Sequence, residues 1–142
     1  MSSPMDAGRM IGMISNQIKR QFDDTVSHGT ITGVQGRFLH FILSHSPTQD
    51  VFQKDLEEEF NLRRSTATCI LQLMEKNGLL YRESVDYDAR LKKIVVTDKG
   101  TQMKGQVMES IRALEAKIKR GIAPADLDVF FRVMEQMSKN LQ

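Results

Sequence analysis

Arg63, Arg64, Ser65, Thr66, Thr68 and Gln72 fall within one short stretch of this chain, and Asp88, Arg90, Lys92 and Lys93 within another. The first group offers guanidinium, hydroxyl and amide groups; the second offers cations and one carboxylate. These are groups for hydrogen bonding to polar edges and for neutralising a polyanion. Arg64 suits guanine O6/N7, Gln72 suits adenine, and the hydroxyls and lysines suit phosphates or water-mediated contacts. Residue patterns for covalent chemistry are missing: there is no Gly-rich phosphate loop, nucleophile elbow or metal-ligand pair. Glu57, Glu58 and Glu59 read as a solvated helix face, not as a catalytic pair. His28, His40 and His45 lack metal-ligand spacing with Cys or acidic partners, so neither a metal nor a cofactor is expected.

The elements that must position these side chains follow from hydrophobic spacing. Gln53 to Phe60 reads as a helix with Leu56 and Phe60 inward, and Arg63 to Asn77 as a second, ended by Gly78 as a left-handed cap. With Arg64 at 0° on a helical wheel, Ser65, Thr68, Gln72, Glu75 and Lys76 fall between about 0° and 120°. Ala67, Ile70, Leu71 and Met74 fall between about 240° and 340° on the same wheel, an apolar face to dock on the preceding helix. Leu79 to Val85 and Lys92 to Val96 alternate as two short strands, joined by a loop from Asp86 to Leu91 that carries Arg90 at its tip. Two helices and a basic hairpin in that order make a winged helix-turn-helix, in which one helix enters the major groove of DNA. An Arg at the wing tip suits the minor groove, where negative potential is focused over A/T-rich steps.

Flanking this module are long helical patterns. Ala7, Met10, Ile11, Ile14, Ile18 and Phe22 mark one from about Asp6 to Val26, and Val34 to Ser44 reads as a buried helix. Thr97 is an N-cap for a helix whose stripe is Met103, Val107, Ile111, Leu114 and Ile118, with Gly121 as its stop. Pro124 opens a last helix lined by Leu127, Phe130, Phe131, Met134, Met137 and Leu141. The fold class is therefore mainly α with a small β-hairpin wing, containing six helices in a single domain. One small core cannot cover all of these stripes, since about 20 residues of helix span roughly 30 Å. A homodimer through the N- and C-terminal helices solves the problem; an intramolecular three-helix bundle is the alternative. The chain divides accordingly into a reading lobe at 34–100 and dimerisation helices at 1–33 and 101–142.

Charge and cysteine content agree with this reading. The 142 residues carry a net charge of only +2. From Asn61 to Gly100, however, eight Lys/Arg face five Asp/Glu, so the positive excess lies in the reading module. A single cysteine, Cys69, rules out an internal disulfide framework and suits a reducing cytoplasm. No basic segment followed by an apolar run marks a signal peptide, and no apolar stretch approaches the roughly 20 residues of a membrane span.

The run Leu56, Phe60-Asn61-Leu62, Arg64-Ser65-Thr66, Thr68, Leu73, Lys76-Asn77-Gly78-Leu79-Leu80, Arg82, Asp88-Ala89-Arg90 and Val96-Thr97-Asp98-Lys99-Gly100 resembles the multiple-antibiotic-resistance regulator (MarR) family. The Asp-x-Arg wing followed by a Thr-x-x-Gly helix start is its most specific part. The resemblance implies a triangular homodimer that binds pseudo-palindromic operators in double-stranded DNA, with Asp88 and Arg90 as the wing pair. It also implies release of DNA on binding a small anionic or aromatic effector between the dimerisation helices and the reading lobe. Met10, Phe38, His40, Phe41 and His45 are the candidates for lining that pocket. The family often carries a basic residue where this chain has Cys69, which puts one DNA contact in doubt. Cys69 lies near the groove-facing edge of its helix, and mild peroxide is expected to leave operator affinity almost unchanged. Two other function classes compete: a winged helix that binds protein without DNA, and an enzyme. The outward Arg64, Thr68 and Gln72 face argues against the first, and the lack of catalytic motifs against the second.

Overall fold

Phe38, Leu39 and Ile42 from one helix, Leu56 from a second, Leu71 and Met74 from a third, and Val107 and Ile111 from a fourth meet in one apolar cluster, all but Ile111 fully enclosed. Leu79, Leu80 and Ile94 of the hairpin close it from the side. The computed structural model describes residues 6–25 and 33–142. Its elements run α1 (Ala7–Thr25), α2 (Gly33–His45), α3 (Gln53–Glu59), α4 (Arg64–Lys76), β1 (Leu80–Val85), β2 (Asp88–Val96), α5 (Asp98–Lys119) and α6 (Pro124–Asn140). This is the expected six-helix winged fold. His28 and the Thr30-Ile31-Thr32 connector lie outside the described residues.

Local chemistry sets the boundaries that matter for the reading lobe. The Asp55 carboxylate accepts the Phe52 N–H (2.9 Å), closing the first turn of α3. Asn61 then turns the chain with φ +49°, a left-handed conformation that asparagine tolerates better than most side chains. After α4, Gly78 takes φ +74°; its N–H bonds to the Glu75 carbonyl, and the Leu79 N–H to the Met74 carbonyl, both at 3.0 Å. That pair of bonds is a Schellman cap, and Leu79 and Met74 are both buried beside it. Thr97 caps α5 as expected: its hydroxyl accepts from Gly100 N–H (3.1 Å) and donates to the Gly78 carbonyl (2.6 Å). One hydroxyl thus ties the end of the recognition helix to the start of α5.

The hairpin is longer and tighter than its alternation indicated. β1 and β2 pair antiparallel from Leu80↔Val96 to Val85↔Asp88, with a bulge at Ser84/Val85, and only Asp86 and Tyr87 form the turn. Arg90 therefore lies on β2 just behind the tip, not in a six-residue loop. The bulge supplies the extra twist that lets so short a turn close. The base of the wing is fastened to the body, since Ile94 N–H donates to the Val51 carbonyl at 2.7 Å. Tyr87 Oη donates to Asp50 (2.9 Å) near the tip. Val51 itself forms no strand.

The terminal helices behave differently. α1 buries Phe22 and half-buries Met10 and Ile18, while Ile11 and Ile14 remain exposed. Lys117 Nζ donates to Gln21 Oε1 (2.6 Å), pinning α1 to α5. α6 buries no residue and packs extensively on no other element. Phe130 and Phe131, expected to face inward, are 50% and 53% exposed. Among the described residues the apolar stripe of α6 is at most half-buried, at Leu127, Met134 and Met137, which leaves the intramolecular bundle without support.

Candidate nucleic-acid interface

The recognition helix α4 splits into two faces as its spacing requires. Ala67, Leu71 and Met74 are fully buried against the core, while Arg64, Ser65, Thr66 and Gln72 are exposed and Thr68 is half-buried. Arg63 sits at the N-cap with no side-chain cap, and the first turn carries no acid. The free N–H groups and positive dipole end of α4 therefore face outward together with two guanidinium groups, an arrangement suited to an anion. Between α4 and the wing runs a groove of about 760 Å³, whose walls include Arg64, Thr68, Gln72, Arg90 and Lys92. Ser65, Thr66 and Arg63 flank its end without lining it.

The wing presents Arg90 as a braced cation. The Asp88 carboxylate accepts from the Arg90 backbone N–H (2.9 Å), from Nε (3.3 Å) and from Nη2 (3.4 Å). The Arg90 side chain is nonetheless 89% exposed. The Arg90 backbone N–H, and then its guanidinium, hold the Asp88 carboxyl below the usual carboxylate range. Lys92 is exposed beside the groove, but Lys93 is committed inward, near Asp50 (3.8 Å) and Glu83 (3.9 Å). Unlike Lys92, it does not line the groove. Desolvation and the bond to Asp50 push the Tyr87 phenol above its ordinary range.

Three groove residues were not legible from spacing. Gln53 and Lys54 open α3, and Arg82 lies on β1 with Nε on Glu75 (2.7 Å) and Nη2 on Gln53 Oε1 (3.0 Å). Glu75 and Arg82 are seven residues apart across a turn, a separation at which sequence carries no contact rule.

A second cavity, a crevice of about 600 Å³, opens between α1, α2 and α4. Ile18, Phe22, Leu73 and Leu114 supply its apolar walls, and Lys19 and Arg37 its cations. None of the five residues expected to line an effector pocket reaches it. Phe38 is sealed in the core, Met10 lies two turns back along α1, and His40 is exposed on α2. Phe41 and His45 stack with ring centroids 4.1 Å apart beside a separate acidic hollow that includes Asp55, Glu58 and Glu59. Four of the five, Phe38, His40, Phe41 and His45, share α2, which turns them to three different sides. Cys69 also departs from expectation: it lies on the crevice side of α4, not on the groove side.

Residues 30–91 match the sequence model of the MarR family. The chain superposes on the transcription regulator MarR from Oenococcus oeni PSU-1 with a TM-score of 0.78 and 28% identity, covering 94% of this chain and 99% of that one. Over residues 30–91 the chain resembles the MarR family. Two more distant structures share the MarR fold more completely. The S. aureus MepR–DNA complex gives a TM-score of 0.88 at 20% identity, covering 99% of this chain and all of that one. PcaV from Streptomyces coelicolor, bound to its natural ligand, gives 0.86 at 18% identity with the same coverage. Among curated protein sequences none matches significantly. The part of the chain that matches the family model includes α4 and ends just beyond Arg90, so it takes in the groove's α4 wall and the wing tip.

Proposed function

We propose that this chain is a MarR-type, sequence-specific transcriptional regulator that binds double-stranded DNA as a homodimer and represses until an effector releases it. The observation that carries the reading is the groove between α4 and the wing. It sets the outward Arg64, Thr68 and Gln72 face beside a braced and almost fully exposed Arg90. An α-helix of this kind fits the major groove, and the wing reaches the adjacent minor groove. Arg63, Ser65 and Thr66 at the helix start, with Lys92, take phosphates. Residues 34–100 form the reading lobe.

The uncovered α6 stripe, with exposed Ile11, Met13 and Ile14 on α1, supports dimerisation through the terminal helices. A two-fold dimer presents two recognition helices to half-sites one DNA turn apart, roughly 34–36 Å, which calls for a pseudo-palindromic operator. The crevice supports the effector reading. Its volume suits a small molecule, and apolar walls with Lys19 and Arg37 suit an aromatic anion. Because α1 and α4 both border it, an occupant that favours one separation of the dimer helices from the recognition helix biases half-site spacing.

Selection of bound sequences from random duplex DNA, repeated at two salt concentrations, tests the proposal. An inverted repeat whose affinity falls by about 0.9 log units per log unit of salt for each phosphate contact supports it. Absence of enrichment, with no binding at low salt, would transfer the case to a winged helix that binds protein.

A further inference from the structure

The polar network under the groove fixes which way its hydrogen bonds run. Arg82 Nη2 donates to Gln53 Oε1 (3.0 Å), and a guanidinium has no acceptor, so the amide oxygen must face Arg82. The amide nitrogen is thereby turned to α4, where it donates to Thr68 Oγ1 (2.8 Å) and to the Arg64 carbonyl (3.4 Å). The Arg64 carbonyl can only accept and Arg82 can only donate, so two contacts agree on one orientation of the amide, and Thr68 Oγ1 accepts in that orientation. Arg82 is itself anchored through Nε to Glu75 Oε1 (2.7 Å).

Thr68 receives a hydrogen bond from Gln53 and has its own proton left over. Helical hydroxyls usually spend that proton on the carbonyl four residues back, as Ser44 does on His40 (2.7 Å) and Thr101 on Thr97 (3.1 Å). Thr68 makes no such bond among the described residues; the Arg64 carbonyl takes Gln53 in its place. Thr68 also lines the groove beside Arg64 and Gln72. We infer that Arg82 and Gln53 are positioning residues that set Thr68 as an obligate hydrogen-bond donor toward DNA. Its partner is an acceptor, either a base edge such as thymine O4 or guanine O6/N7, or a phosphate oxygen. The inference rests on the DNA reading above and deepens it.

The test compares the full-length chain with Thr68→Val, Thr68→Ser, Gln53→Glu and the Gln53→Glu/Thr68→Val double variant on the operator selected by the parent. Loss of one net hydrogen bond predicts binding about fivefold weaker per half-site for Thr68→Val, with the parent's sequence preference kept by Thr68→Ser. A change of preference at one base pair per half-site identifies a base acceptor; equal weakening on all sequences identifies a phosphate. In Gln53→Glu the carboxylate accepts from Arg82 and also takes the Thr68 proton, leaving only lone pairs toward the DNA. Its effect should therefore be larger in the parent than in the Thr68→Val background, a coupling that general charge repulsion does not produce. Thr68→Val binding as tightly as the parent, or equal Gln53→Glu effects in both backgrounds, overturns the inference. Failure of the parent to bind DNA at all would instead remove the DNA reading, and the inference with it.

Discussion

Gly100→Ala tests the joint between the winged hairpin and α5. A Cβ at Gly100 would stand 2.3 Å from the Leu79 carbonyl oxygen and 2.6 Å from Val96 Cγ1. Real Cβ contacts essentially never fall under 3.0 Å, so α5 must move away by roughly 0.7 Å. Nothing at this point yields easily. The Leu79 carbonyl accepts the Thr97 N–H (3.0 Å), and Thr97 caps the helix that would have to shift. Overpacking of this kind costs about 1–3 kcal/mol, offset by up to about 1 kcal/mol from replacing a helical glycine. Gly105 lies in the same helix with nothing within 4 Å of its Cβ position, so Gly105→Ala keeps only the gain, about 0.4–1 kcal/mol. At roughly 4 °C per kcal/mol for a chain of this length, the net loss of about 0–2 kcal/mol left after the full offset should lower Tm by up to about 8 °C in Gly100→Ala, and Gly105→Ala should raise it by about 2–4 °C. Calorimetry at one fixed protein concentration reads both, since dimerisation makes Tm concentration-dependent. If Gly100→Ala melts above the parent, the close docking of α5 on Leu79 is wrong.

Other outcomes follow from the same geometry. Arg64→Ala should cost about 1–3 kcal/mol on the selected operator and relax its base preference, while Arg90→Ala should weaken binding with the preferred major-groove bases kept. Parental affinity in both would refute the assigned DNA face. Phe131→Glu should leave the protomer folded and shift sedimentation from dimer to monomer, because the side chain touches no core; an unchanged dimer places the interface elsewhere. Mild peroxide should barely alter operator affinity, since Cys69 lies away from the groove, and a large loss prevented by Cys69→Ser would contradict this. The His40 imidazole is held below its ordinary value near 6.5 by partial desolvation first, then by Lys104, Arg112, Arg37 and His45. Between the two pKa values the unfolded chain binds more protons, so stability is full above about pH 6.5 and falls as pH drops through it. His40→Gln should flatten the slope of Tm against pH below that point; an unaltered slope would assign it to other groups.

The reading lobe was legible because its signals are local. Periodicity on α4 separates Ala67, Leu71 and Met74 from the outward polar groups without any knowledge of what lies across from them. Gly78 and Thr97 announce helix ends through backbone and capping chemistry confined to a few residues. The hairpin was less legible. Asp86 to Leu91 is polar enough to read as a loop, yet cross-strand pairing and a bulge draw Asp88 to Leu91 into β2. Strand pairing is a contact between segments, and alternation reports only one segment at a time.

The same distinction explains which groove residues were legible. Arg64 and Arg90 are exposed and line the groove, as local spacing alone suggests. Lys93 has the same charge as Lys92 and stands next to it, but successive strand residues face opposite sides, and Lys93 meets Asp50 and Glu83. Gln53, Glu75 and Arg82 come from three elements, and their value lies in the direction of the bonds among them, which no residue type encodes. The effector crevice fails for a related reason. Aromatic and histidine side chains on α2 suggest a pocket by composition, whereas the crevice's apolar walls are Ile18 and Phe22 of α1, Val34 of α2, Ile70 and Leu73 of α4 and Leu114 of α5, which look like ordinary stripe positions. A pocket is the space left where stripes do not meet, so its residues carry the signature of a core. Only the uncovered faces of α1 and α6 show, once the protomer is folded, which stripes still await a partner.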